Sequence, residues 1–247
     1  MSTAPVFVVE PARLEVGIPG SEVVIDGPEG HHAAQVRRIQ SGERVDLVSG
    51  MGRRAHGVVV AVERARVTVR VDSATDDPPP EPRLVVVQAL AKGDRGERAV
   101  ELLTEVGVDE IVPWSAARSV VQWQGERGAK ALQRWRSTAR ESSKQSRRAR
   151  FTDVTRLADT AQVGARLLAA ELAVVLSGDA TDSLSALTLP GSGEVVLVVG
   201  PEGDLTDHEL AAFDAAGAVR AALGPTVLRT STAGVVAAAA VLSRTRW

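Results

Sequence analysis

An α/β fold with a mostly parallel sheet flanked by helices, preceded by a small β-barrel or sandwich, is what this sequence predicts. Three observations carry the prediction. A proline-rich break, "DSATDDPPPEPR" at 72–83, divides the chain. Short β-rich runs crowd the part before it, and continuous apolar runs alternate with helical segments after it. Three consecutive prolines favour extended geometry and are kept out of helix and sheet interiors. The expected boundaries are 1–74 for the first domain, 75–82 for the linker and 83–247 for the second. At 247 residues the chain has room for both cores.

In the first part, strands are expected at "VFVV" (6–9), "EVVI" (22–25), "ERVDLV" (43–48), "AHGVVVAV" (55–62) and "ARVTVRV" (65–71). The last alternates Val67, Val69 and Val71 with Thr68 and Arg70, as a half-buried strand does. One helix, from about Glu29 to Ile39, interrupts them. In the second part, "RLVVVQALA" (83–91) reads as a strand buried on both faces. A helix at 96–106, stopped by Gly107, leads to "DEIVPW" (109–114). A basic helix follows, then a helical segment near 158–169 and "ELAVVLS" (171–177). "EVVLVVG" (194–200), a helix (207–216), "AVRAAL" (218–223) and a last helix (232–244) complete it.

Composition narrows the functional classes. The chain has no cysteine, which excludes disulfides and thiolate metal ligation. The opening "MSTAPVFVVE" has no basic region followed by a long apolar stretch, and "AGVVAAAAVL" (233–242) is too short to span a bilayer. A soluble cytoplasmic protein is the expectation. Net charge is only −2, yet 127–150 holds nine Lys or Arg against the single acid Glu141. Such a patch attracts a phosphate backbone, or is simply a solvated helix face. Aromatic residues are too scarce for a base-stacking sheet.

The tetrapeptide Gly-Pro-Glu-Gly occurs twice, at 27–30 and 200–203. The second follows the apolar run Val195–Val199 and precedes a capping box, Thr206 with Glu209. It therefore stands at a strand's carboxyl end, where parallel α/β folds bind ligands. The first follows a short strand in the β-rich part and reads as a turn into a helix. The second loop is ill suited to phosphate: Pro201 has no amide hydrogen, and Glu202 and Asp204 are negative. A carboxylate about 4 Å from a phosphate costs about 4 kcal/mol at an effective dielectric near 20. No Walker lysine and no dinucleotide glycine pattern is present, so a neutral or cationic ligand fits better. A third stretch, "AALGPTVLRTSTAG" (221–234), is another strand end and Gly-Pro turn, with Ser231 or Thr232 placed to cap the last helix. That helix is nearly all small apolar residues and is expected to be buried. Two Gly-Pro loops at neighbouring strand ends form either a cofactor cleft or two ordinary turns.

At these residues the chain resembles the SPOUT class of methyltransferases, and most closely the RsmE family. The resemblance runs through "HHAAQVRRIQSGERV" (31–45), "AKGDRGERAVELLTEVGVDEIVPW" (91–114), "ARSVV" (117–121), "ARESSKQSRR" (139–148), "VVGPEGDLTDHEL" (198–210) and "LGPTVLRTSTA" (223–233). It implies a PUA-like RNA-binding barrel, then a domain tied in a trefoil knot, and a homodimer. The implied activity is methylation of N3 of a uridine in 16S ribosomal RNA of the small subunit, free or assembled. The implied cofactor is S-adenosylmethionine, a sulfonium cation without phosphate, and no metal. By motif match Gly200, Glu202, Gly203, Leu223, Gly224 and Leu228 would line its pocket, with Leu176 beside them. Small glycines would let the backbone approach the adenine.

The chain departs from the family pattern at four places. Asp204 stands for a glycine, Ser231 for a glutamate, Leu102 for a lysine, and Glu105-Val106-Gly107 for Glu-Leu-Gly. Uridine N3 bears a proton, and a nearby cation would stabilise the charge left by its loss. Arg229 is the candidate for that role; the alternative is a structural arginine bonded to loop carbonyls. RNA contacts are expected from Arg37 and Arg38 near His31 and His32, and from Lys92, Arg95, Arg118, Arg140, Lys144, Arg147 and Arg148. The last four form a stripe at helical spacing. Partly exposed packing is the other reading of the two histidines. Two other functions stay open: a related enzyme acting on transfer RNA or a ribose hydroxyl, and a non-catalytic RNA-binding assembly factor.

Overall fold

The computed structural model describes residues 4–247; Met1–Thr3, part of the opening stretch read above, lie outside them. The chain forms two compact units.

The first unit holds β1 (Val6–Val8), α1 (Pro11–Glu15), β2 (Glu22–Ile25), α2 (Gly27–His31), a π turn (His32–Val36), β3 (Arg44–Val48), β4 (Arg53–Glu63) and β5 (Arg66–Asp76). The strands make a single sheet in the order β1-β3-β4-β5-β2, antiparallel except where β1 joins β3. A single sheet around one core is a barrel-type arrangement, not a two-sheet sandwich. Phe7, Leu14, Ile25, Leu47, Val67, Val69 and Val71 fill that core, and Arg70 points away from it as the alternation requires.

Two local details differ from expectation. Helix α1 has no side-chain cap and gives little sequence signal beyond Pro11 in its first turn. The helix expected at 29–39 begins two residues earlier, with Pro28 in its first turn, and becomes the π turn before ending at Arg38, where φ is +52°. The first tetrapeptide is thus not a turn before a helix but the helix's own first turn. Gly30 is fixed there by packing: a Cβ would overlap the Ala65 carbonyl oxygen and lie 2.7 Å from that of Ile25.

Residues 143–151 also belong to this unit, although they stand inside the 83–247 segment. Ala149 packs with Val6, Val8 and Val48, and the Phe151 amide donates to the Gly50 carbonyl at 2.9 Å. The Gly52 amide donates to the Ala149 carbonyl, also at 2.9 Å. Sequence separation hides such a return.

The second unit holds β6 (Arg83–Ala89), α3 (Arg95–Val106), β7 (Glu110–Trp114), α4 (Gly125–Gln145, whose last turn enters the first unit), β8 (Asp153–Val154), α5 (Thr160–Ala169), β9 (Leu172–Leu176), a 3-10 turn (Leu184–Ala186), β10 (Glu194–Val199), α6 (Asp207–Ala215), β11 (Val219–Ala221) and α7 (Thr230–Leu242). Its six strands run parallel in the order β11-β9-β10-β6-β7-β8. Leu84 and Val86 of β6 face one core layer with α3 and α7, while Val85 and Val87 face another with α5 and Phe213 of α6. Burial on both faces is why these strands read as continuous apolar runs. Among the described residues no helix is long and apolar enough to cross a membrane.

The amino edge of this sheet is closed by side-chain ion pairs. Arg83 reaches Glu110 at 2.5 Å and Glu194 at 3.1 Å, and Arg166 reaches both at 2.9 Å. Glu110 is buried, and a buried carboxylate is tolerated when paired this way.

Candidate functional site

At the opposite, carboxyl edge the sheet presents loops. Ala221 pairs with Leu176 and Val198 with Val175, so β11, β9 and β10 end at nearly the same level. The two Gly-Pro loops therefore leave from strands that are not neighbours. Strand β9 lies between them and places Leu176 in the gap, a correction to the adjacency expected from sequence. Leu176, Leu223 and Leu228 are half-buried. A Cβ at Gly224 would meet nothing within 4 Å, and Val227 is 98 % exposed. Leu176 and Leu223 each pack against the core under the sheet and keep part of their side chains exposed at this edge.

Loop 200–206 is held by its neighbours on two sides. The Asp204 amide donates to the Pro201 carbonyl at 3.1 Å, closing a turn. Asp204 adopts φ +64°, the left-handed region where glycine is at ease. Aspartate is among the residues that tolerate it, and here the Asp204 carboxylate accepts the Leu205 amide at 2.8 Å. That accounts for an aspartate where the resemblance leads one to expect glycine. The carboxylate of Glu202 accepts from the Lys92 amide and from Arg95, both at 3.3 Å. Its side chain thus ties this loop to the one after β6. Gly203 is close-packed too: a Cβ would lie 3.0 Å from the Arg118 Cβ and 3.1 Å from the Arg118 carbonyl. What approaches Gly203 is the chain after β7.

The second tie comes from that same chain. The Arg118 guanidinium donates to the carbonyls of Gly203 and Leu205, each at 3.3 Å. One residue earlier, the Ala117 amide donates to Glu209 Oε1 at 2.8 Å. The other oxygen of Glu209 accepts the Thr206 amide at 2.9 Å and the Thr206 hydroxyl at 2.7 Å. The capping box expected from sequence is present, and its glutamate also reaches a second loop. Glu209 is only 1 % exposed. Burial pushes its carboxyl upward, but the amides of Ala117 and Thr206 and the Thr206 hydroxyl win and hold it below the ordinary range. Sequence reading missed the Ala117 contact, since nothing local signals a partner 92 residues away.

Helix α7 begins at Thr230, with Arg229 at its N-cap position and no side-chain cap. Ser231 and Thr232 are inside the first turn and do not cap it; the Thr232 hydroxyl donates to the Arg229 carbonyl at 3.1 Å. Arg229 is exposed, and among the described residues its guanidinium makes no hydrogen bond or ion pair. The structural alternative, an arginine bonded to loop carbonyls, is not what is seen. Ser231 is buried, and no acid lies in that first turn.

The residues expected to touch RNA separate into groups. Arg37 and Arg38 are exposed beyond the π turn, and their guanidiniums make no bond among the described residues. His32 packs edge-on against Phe7, with ring centroids 6.5 Å apart. Lys92 is exposed, and Arg95 pairs with Glu202. Arg118 serves the loop just described. The helical stripe is broken: α4 stops at Gln145, so Arg147 (φ +57°) and Arg148 lie beyond it, while Arg140 is on it. Lys144 does not face solvent. Its ammonium pairs with both oxygens of Glu29, at 2.7 and 2.9 Å, and its side chain is 12 % exposed.

A small β domain joined to a parallel α/β domain is the arrangement of the RNA methyltransferase family models that this chain matches. Residues 78–242 match the RNA methyltransferase domain, and residues 25–72 match the RNA methyltransferase PUA domain. Ribosomal RNA small subunit methyltransferase E of Mycobacterium tuberculosis is 46 % identical over 92 % of this chain and 89 % of its own. The Bacillus subtilis protein of the same name is 30 % identical over 90 % of each. Among solved structures, that of the Neisseria gonorrhoeae methyltransferase E bound to S-adenosyl methionine superposes with a TM-score of 0.84, at 25 % identity over 98 % of both chains. The chain belongs to the ribosomal RNA small subunit methyltransferase E family.

Proposed function

We propose that this protein transfers a methyl group from S-adenosylmethionine to N3 of a uridine in 16S ribosomal RNA of the small subunit. What supports this reading is that β9, β10 and β11 end at one level, so that Leu176 and the chain after Val199 and after Ala221 leave the same edge of the sheet, in a chain of this family. The cofactor's chemistry fits that edge. Half-buried leucines offer an apolar bed for adenosine and the methionine chain, and the carboxylates of Glu202 and Asp204 oppose a phosphate more than a sulfonium. Leu176, Gly200, Leu223, Gly224 and Leu228 would hold it, and the bound cofactor supplies an electrophilic methyl. Glu202 and Gly203 serve the pocket indirectly, by fixing the loop.

The chain's own contribution is placement and charge. N3 of uridine gives up its proton to water before the new bond forms, and until the methyl arrives the negative charge is shared by N3 and the ring carbonyls. Arg229, a free cation at the uncapped start of α7, stabilises that charge together with the helix's positive end. Ser231 carries no charge and takes no part as a carboxylate base. Arg37, Arg38, Lys92 and Arg140 contribute to RNA binding. A trefoil knot in the second domain, a homodimer and a cytoplasmic location complete the reading, and domain limits of 1–74 and 83–247 go with it, apart from the returning segment 143–151.

Calorimetry and a methyl-transfer assay test it together. The wild type is expected to bind S-adenosylmethionine without added metal and to label small-subunit RNA or the subunit particle. Arg229→Ala is expected to keep the cofactor affinity and lose about 100-fold in kcat, the scale of one removed charge-stabilising group. A folded protein with no cofactor binding would make it a non-catalytic RNA-binding factor.

A further inference from the structure

Glu209 has the burial of a core residue and the chemistry of a binding-site residue, yet it stands on α6, behind the loop that the cofactor would meet. Its three donors come from two places. Thr206 belongs to the end of the 200–206 loop, and Ala117 to the chain after β7. Arg118, next to Ala117, grips the carbonyls of Gly203 and Leu205. These contacts close a ring: Gly203 and Leu205 to Arg118, along the chain to Ala117, across to Glu209, and back through Thr206 to the loop.

We propose that Glu209 is a positioning residue of the methyl-transfer site: through this ring it fixes the conformation of the 200–206 loop that the cofactor requires. The inference rests on the functional reading above and adds a residue that touches no substrate. A carboxylate suits the task because it accepts from several amides at once, and charge-assisted bonds of this kind are about twice as strong as neutral ones. Glutamine cannot replace it, because one of its two ends is a donor and would face the amide of Ala117 or of Thr206. Burial keeps water from substituting. Helix capping alone requires only the Thr206 half; the Ala117 half is what links the two loops.

The ring has a direct readout. The amides of Ala117 and Thr206 donate to Glu209, so their hydrogen exchange reports on that carboxylate. Exchange by NMR and cofactor calorimetry on the full chain would be measured for wild type, Glu209→Gln, Arg118→Ala and Glu110→Gln. Glu110 is a matched control, a buried carboxylate on β7 at the far edge of the sheet, bonded to arginines. Glu209→Gln is expected to speed exchange at Ala117 and Thr206 about tenfold and to weaken cofactor binding about tenfold, the factor of one charge-assisted hydrogen bond. The β10 amides should stay protected. Arg118→Ala, a surface change that leaves folding intact, should move the same loop amides in the same direction and weaken the cofactor less. Glu110→Gln should leave loop exchange and cofactor affinity unchanged, whatever it does to thermal stability.

Unchanged loop exchange in Glu209→Gln, or equal loop effects from Glu110→Gln, would overturn the positioning role. So would loop exchange that rises without loss of cofactor affinity. If Glu209→Gln does not fold, Arg118→Ala decides the matter by the same two readouts. Absence of cofactor binding in the wild type would instead overturn the functional reading, and with it the purpose assigned to the ring.

Discussion

The sequence Gly-Pro-Glu-Gly is written twice in this chain and folds in two ways. At 27–30 it is the first turn of a helix: Gly27 takes φ +59°, the ring of Pro28 fixes its own φ for the helix, and Glu29 pairs with Lys144. At 200–203 it is a turn between strand and helix, with Pro201 buried and Glu202 tying one loop to another. In both copies the last glycine is demanded by a neighbour, Ala65 and Ile25 in one and Arg118 in the other. In both, the glutamate holds a segment far away in sequence. The difference lies in what is held. The first copy fastens a β domain's own chain, and the second fastens loops at a sheet edge that is open to a ligand. Identical residues therefore serve stability in one place and, on the function proposed above, site geometry in the other.

Matched substitutions would break or sharpen that contrast. The largest effect is expected from Gly30→Ala, because both obstructing atoms are backbone oxygens that cannot step aside; about 3 kcal/mol or more of stability should be lost. Chemical unfolding measures it. Gly203→Ala meets a milder obstruction and should cost about 1 kcal/mol. Its main consequence should be on cofactor affinity, about tenfold weaker by calorimetry, as the Arg118 contact is pushed away. If the two alanines had the same effect on stability and on affinity, the distinction between the copies would fail.

The glutamates should differ in the same sense. Glu29→Ala strands a mostly buried lysine and is expected to cost about 2–3 kcal/mol, without effect on cofactor binding. Glu202→Gln loses a more open pair and should cost no more than about 1 kcal/mol, with a few-fold loss of cofactor affinity.

Acid titration gives a smaller, slower effect. Glu209 has a folded-state value below its unfolded one, so its contribution is complete above the ordinary carboxylate range and is lost as pH falls through the lower, folded value. Glu209→Gln should flatten that part of the stability curve; a steeper acid limb in the variant would contradict the assignment. The smallest effects are expected from Arg37→Ala and Arg38→Ala. Each should weaken RNA binding modestly and lower the salt slope by about one, with cofactor affinity untouched.

Much of this was legible in the residues, for reasons that can be stated. Strand β10 shows as a β-branched run, α6 by its Thr206–Glu209 box, and the domain break by its prolines. These are local signals, and the structure uses them locally. Strand β8 is two residues long and exists because Glu110 and Ile111 of β7 pair with it, so no pattern announces it. The return of 143–151 is held by Ala149, which packs on Val6, Val8 and Val48. Helical spacing alone places Lys144 in an RNA-contacting stripe with Arg140, Arg147 and Arg148. Glu29, 115 residues away, decides otherwise. At the sheet's carboxyl edge, the strand-end places of Leu176 and of the two Gly-Pro loops could be read from the apolar runs before them. The work of Arg118 and Glu209 could not, because it lies between loops whose proximity only the sheet order sets.

The most direct test of the central claim is the nucleoside content of 16S ribosomal RNA, by mass spectrometry, from cells with and without this gene. N3-methyluridine is expected to disappear on deletion, to return in full with the wild-type protein, and to return only in part with Arg229→Ala at the same expression level. An unchanged N3-methyluridine content, or loss of a ribose methyl or of a transfer RNA modification in its place, would contradict it.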